Sequence, residues 1–134
     1  IKYLIVFSVI ISLIQIIVGT QVREFIDVQY EILGADKKNL WLNNPNLYFY
    51  FHRSFSILIF LTNVLLFYLV YIKNMYSGFI NKIMFIIFLE ILVGVSMYYA
   101  DFPFLTQPVH LILATILFSY QFYWMLHIKK INDL

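Results

Sequence analysis

Four long apolar runs, separated by short polar breaks, organise this chain of 134 residues. The first runs from about Tyr3 to Val22 without a charge. The second, about Leu47 to Ile72, carries His52 and Arg53 near its start. The third, about Phe79 to Ala100, is interrupted only by Glu90, and the fourth, about Phe104 to Leu126, holds His110. Each is long enough to cross about 30 Å of hydrocarbon. Lipid offers backbone N–H and C=O groups no partner, so all four are predicted as helices. The expected fold is an all-α integral membrane protein, a four-transmembrane-helix bundle forming one domain over residues 1–134.

The breaks differ in character. Lys73 to Lys82 is a short basic turn, whereas Asp101-Phe102-Pro103 is a tight turn with no Lys or Arg. Gln21 to Asn46 is longer, and Arg23 to Leu33 within it is predicted as a separate amphipathic helix lying in the interface. Lys2, Lys73, Lys82, Lys129 and Lys130 fall on one side of the four spans. Arg23, Lys37 and Lys38 fall on the other, diluted by Glu24, Asp27, Glu31 and Asp36. That bias places both termini in the cytoplasm and the long loop outside, with a bacterial inner membrane as the expected location.

Composition agrees with a lipid-facing surface. Charged residues make up 12% of the chain, about half the usual share for a soluble domain. A net charge of +2, with no basic stripe among the aromatics, argues against a nucleic-acid partner. With no cysteine, disulfides, thiolate metal sites and Cys nucleophiles are excluded together. There is no phosphate-cradling glycine loop and no His-Glu-x-x-His signature.

An internal repeat changes the picture. Gln15-Ile-Ile-Val-Gly19 in the first run matches Glu90-Ile-Leu-Val-Gly94 in the third, and each is followed by a loop and a helix bearing one histidine near its outer end. Two such pairs imply a pseudo-two-fold axis along the membrane normal. His52 and His110 then face one another at nearly the same depth, as two axial ligands of a haem iron would. Gly19 and Gly94, at equivalent places, would let a flat ring approach the backbone; small residues also simply let membrane helices pack.

Arg53 and Arg23 lie near the outer face, where a haem's propionates would emerge, and a planar guanidinium suits carboxylates. Arg53 could instead snorkel to headgroups, and Arg23 could pair with Glu24 or Asp27. Glu90 and Gln15 hold equivalent places, so a polar bond between helices is expected of both. Thr106 and Gln107 are candidates for a helix cap or for supporting donors. His127, beside Lys129 and Lys130, reads as an interfacial residue.

Taken in order, Gln15-Ile-Ile-Val-Gly19-Thr-Gln-Val-Arg23-Glu, His52-Arg53, Glu90-Ile-Leu-Val-Gly94 and Gln107-Pro-Val-His110 resemble the haem A synthase family over essentially the whole chain. Members of that family usually carry eight transmembrane helices in two similar halves, each with a histidine pair placed as His52 and His110 are. The family oxidises a methyl group of haem O to a formyl group, giving haem A for terminal oxidases. The chain resembles the C-terminal half, which implies a haem b held by His52 and His110 and a partner in the other half or a second copy. It also implies an electron donor. In the substrate half a glutamate stands three residues before the first histidine; here that position is Phe49, and the cysteine pair of the outer loop is absent. A chain starting at Ile1 is expected to be part of a longer protein, unable to complete the reaction alone. Two other readings compete: a stand-alone bis-histidine cytochrome b, and a haem-free membrane assembly factor.

Overall fold

The computed structural model describes residues 1–75 and 78–131, with side chains as far as His127. Lys129 and Lys130, whose side chains entered the charge argument, and Tyr76 and Ser77 of the basic turn lie outside the described residues. Four helices follow in order: α1 (Lys2–Leu33), α2 (Leu47–Ile72), α3 (Gly78–Tyr99) and α4 (Thr106–Ile131), with a short 3-10 helix, Ala35–Leu40, between the first two. All four are long and apolar enough to cross a membrane. Ile17, Leu61, Phe85 and Ile112, one on each helix, are more than half exposed. Apolar surface of that extent on every side is stable only against lipid.

The helix boundaries follow local chemistry. Asn46 caps α2, its side-chain oxygen accepting the Phe49 N–H at 3.1 Å, which satisfies one of the free donors of the first turn. α1 ends at Gly34, whose φ of 85° suits a residue without Cβ. Nothing between Gly19 and Gly34 breaks the helix. Arg23 to Leu33 is therefore not a separate interfacial helix but the continuation of α1. At 32 residues α1 is about 48 Å long, well beyond the hydrocarbon core. α4 starts at Thr106 rather than Phe104, because Asp101, Phe102 and Leu105 all take positive φ and hold the turn out of helical geometry. The Thr106 hydroxyl donates to Pro103 O at 2.7 Å and closes that turn.

Each helix packs against its two neighbours in sequence around the bundle, α4 closing on α1, with the α2–α3 seam the loosest. α2 and α4 thus face each other diagonally, as do α1 and α3. The half of the bundle away from the α1–α2 connection is apolar: Ile5, Leu66, Val70, Ile80, Ile83 and Trp124 fill it. At the opposite end, in the α1–α2 connection, Trp41 folds back, its indole N–H donating to Gly34 O at 3.3 Å, and packs on Ile26 and Phe102. Lys38 Nζ donates to Phe102 O at 3.3 Å.

Above the apolar plug lies a polar cluster that no motif announced. The Gln121 amide donates to Ser8 Oγ at 2.9 Å, the Ser8 hydroxyl donates to Asn63 Oδ1 at 3.2 Å, and the Asn63 amide donates to Ile59 O at 2.8 Å. All three side chains are buried and they tie α1, α2 and α4 together. Asn63→Ala should leave Ser8 without its acceptor and cost about 1–3 kcal/mol, read as a lower midpoint of unfolding in mixed micelles. An unchanged midpoint would mean the cluster adds nothing to stability.

Candidate functional site

The site sits in the bundle toward the end where the long α1–α2 connection lies. His52 comes about five residues into α2 and His110 about four into α4, so both rings project from the same level of diagonally opposed helices. Their ring centroids are 6.1 Å apart, with the planes at 71°. Two metal–imidazole bonds of about 2 Å end to end, with the half-width of each ring added, span about 6 Å. The separation therefore matches one metal ion shared by two imidazoles.

Each ring is backed by one helix of the other diagonal. A Cβ at Gly19 on α1 would come 3.2 Å from His52 Cε1, and one at Gly94 on α3 would come 3.6 Å from His110 Cε1. The glycines were expected to admit a flat cofactor; what meets them is the histidine rings themselves. At Gly19 the approach is tighter than a side chain there could normally accept, whereas at Gly94 it is ordinary van der Waals contact.

Gln15 and Glu90 supply the polar backing. The Gln15 amide donates to His52 O at 3.0 Å and lies 3.5 Å from His52 Nε2. Glu90 Oε2 lies 2.6 Å from His110 Nδ1, close enough for an ion pair when the ring is protonated, though off the line of a regular hydrogen bond. Both side chains bridge helices, as their equivalent places led us to expect. That their partners are the histidines is information the spacing did not carry.

Several buried atoms around the rings have no hydrogen-bond partner: His52 Nδ1, Gln15 Oε1, Glu90 Oε1 and, one turn down α1, Ser12 Oγ. Buried polar groups in native proteins are nearly always satisfied, and inside a bilayer the cost of leaving them bare is larger. Five such atoms, His110 Nδ1 among them, surround one pair of imidazoles, as a site that takes a polar or metal-bearing group would provide. The donor set fits a haem iron: two imidazoles stand 6.1 Å apart, centroid to centroid, without the group of three or more His, Asp or Glu ligands, absent among the described residues, that a bare ion would need.

The two arginines stand apart from this group. Arg53 follows His52 but is exposed and makes no ion pair among the described residues. Arg23 is exposed one turn beyond Gly19 and pairs with Asp27 at 3.6 Å across one helical turn. Further out, Asp27, Tyr30, Lys38, Trp41, Phe102 and Gln107 line an open cavity of about 410 Å³. His127 stays at the opposite end, its Nδ1 2.9 Å from Tyr123 O.

Comparison with known proteins adds one finding. A family model described as COX15-CtaA, cytochrome oxidase assembly protein, matches residues 1–122. No curated protein and no solved structure matches the chain.

Proposed function

Because this chain belongs to the COX15-CtaA family of cytochrome oxidase assembly proteins, we propose that it serves as the electron-holding four-helix unit of a haem A synthase. His52 and His110 are its axial haem ligands, and haem b is the resident group. In this reading haem O is the substrate of the whole enzyme and its methyl group is oxidised to a formyl group outside these four helices. The observation that carries the proposal is the diagonal pair of imidazoles, 6.1 Å apart and ringed by unpartnered polar atoms.

A haem whose two axial positions are both taken by imidazole supplies one-electron transfer rather than oxygen binding. The protein's own residues do the rest. Gly19 and Gly94 let the rings settle against α1 and α3, Gln15 and Glu90 orient them, and the apolar plug from Ile5 to Trp124 keeps water from the inner side out. The absence of a carboxylate at Phe49, three residues before His52, agrees with an electron-carrying role and not a substrate-oxidising one. The two helix pairs are then related by a pseudo-two-fold axis along the membrane normal, both termini face the cytoplasm, and the haem lies toward the outside of a bacterial inner membrane. The missing substrate half is supplied by the same protein or by a second copy.

The test is a reduced-minus-oxidised spectrum of the detergent-purified chain supplied with haem, followed by pyridine extraction to name the haem. Sharp six-coordinate low-spin bands are expected. A folded helical preparation that takes up no haem would sink the proposal in favour of a haem-free assembly factor. Conversion of haem O by the full-length protein, and none by this chain alone, separates the synthase from a stand-alone cytochrome b.

A further inference from the structure

We propose that Glu90 is a positioning residue that makes the two haem ligands unequal, rendering His110 the stronger electron donor of the pair. The inference rests on the bis-histidine reading above and goes beyond it by assigning a task to a residue that touches neither substrate nor iron.

The two histidines differ in the polar side chain that meets each ring and in the ring nitrogen it meets. Gln15 meets His52 with a neutral amide, 3.5 Å from Nε2 and already engaged with the His52 carbonyl. Glu90 stands behind His110 with a carboxyl group whose oxygen is 2.6 Å from Nδ1. Both members of the second pair are largely buried, with side chains 13% and 24% exposed. No Lys or Arg pairs with Glu90 among the described residues. Its charge is therefore directed at one imidazole and is weakly screened, because water and counter-ions are far away.

A carboxylate behind a ligating imidazole has two effects. Placed 2.6 Å from Nδ1, its charge favours the tautomer with the proton there, so that Nε2 presents its lone pair, and it increases electron donation by the ring. His110 Nε2 has no polar partner among the described residues, so it is free for that use. A more basic axial ligand stabilises ferric iron, with its extra positive charge, more than ferrous iron. Glu90 thus holds the midpoint potential below the value that a neutral side chain at position 90 would set. A merely structural bridge between α3 and α4 has no such consequence, because a glutamine of the same shape would serve as well.

Glu90→Gln is the variant to make, in the chain purified in detergent and loaded with haem b, with the potential measured by spectroscopic titration. Six-coordinate bands should persist. At a fixed potential the ferric-to-ferrous ratio should fall at least about tenfold, equivalent to a rise of about 59 mV or more in midpoint for a one-electron couple. Glu90→Asp should recover part of the shift. Gln15→Glu, which places a second carboxylate beside His52, should move the midpoint the other way, and it keeps the test open should Glu90→Gln fail to fold. A haem-loaded Glu90→Gln protein with the parent midpoint would overturn the role of Glu90 while leaving the axial pair intact. Absence of haem from the parent chain would overturn the axial pair and this inference together.

Discussion

His52→Ala and His110→Ala should each convert a six-coordinate low-spin haem into a high-spin form, and the double variant should retain no haem through gel filtration. Each single variant keeps one imidazole on its helix, so the iron keeps one protein bond and loses the other. Loss of a ligand, or of what supports it, commonly weakens metal retention by about 10–100-fold. The haem-free proteins should differ as well. His110→Ala strips Glu90 of its ion-pair partner among the described residues and leaves a largely buried carboxyl group alone, a change that costs about 1–3 kcal/mol or more. His52→Ala spares the bond from the Gln15 amide to the backbone carbonyl of residue 52 and should unfold nearer the parent. Identical low-spin spectra in parent and both single variants would remove these residues as ligands.

Gly19→Leu should be almost as damaging, though residue 19 contributes no polar atom. A Cβ there already presses on His52 Cε1 at 3.2 Å, and the rest of a leucine would claim the ring's place. Overpacking a close-packed site costs about 1–3 kcal/mol, and here the ring that must move is the proposed ligand. The expected result is a helical protein with low haem occupancy and a high-spin spectrum. Gly94→Ala is the contrasting case. Its Cβ would meet His110 Cε1 at 3.6 Å, and alanine is the better helix former by about 1 kcal/mol, so spectrum and occupancy should match the parent. If Gly19→Leu binds haem as the parent does, the close approach of α1 to His52 does not constrain the site.

These two glycines show how far the chain could be read without coordinates. The match of Gln15 to Gly19 with Glu90 to Gly94 located the four positions that surround the paired rings, because side chains four residues apart share a helix face. The start of α2 was equally legible, since Pro45 and the capping Asn46 mark it locally. The length of α1 was not. Arg23, Glu24 and Asp27 look like the end of a membrane span, but charge ends a span and not a helix, and only Gly34 stops the backbone. Arg53 and Arg23 were drawn toward the site by their place in the chain. Yet adjacent residues on a helix point about 100° apart, and Arg53 accordingly faces outward.

The buried cluster of Ser8, Asn63 and Gln121 escaped notice because each is a single polar residue in a long apolar run. A signal was present nonetheless. Ser8, Ser12, Gln15 and Gly19 fall at spacings of four, three and four, a stripe along one face of α1. Asn63 follows His52 by eleven residues and Gln121 follows His110 by the same interval, about three helical turns. Scanning apolar spans for polar residues in register with a histidine would have found both.

The shallow setting of the paired rings has an electrical consequence. They lie about 6–8 Å along their helices from the end nearest the long loop, roughly a quarter of the hydrocarbon thickness. The apolar plug beneath them blocks any charged path from the other side. An electron reaching a haem held there, as proposed, would therefore cross only about a quarter of the transmembrane voltage, roughly 0.6 kcal/mol per 100 mV. A redox group seated at this depth would feel only that small share of the membrane's energisation.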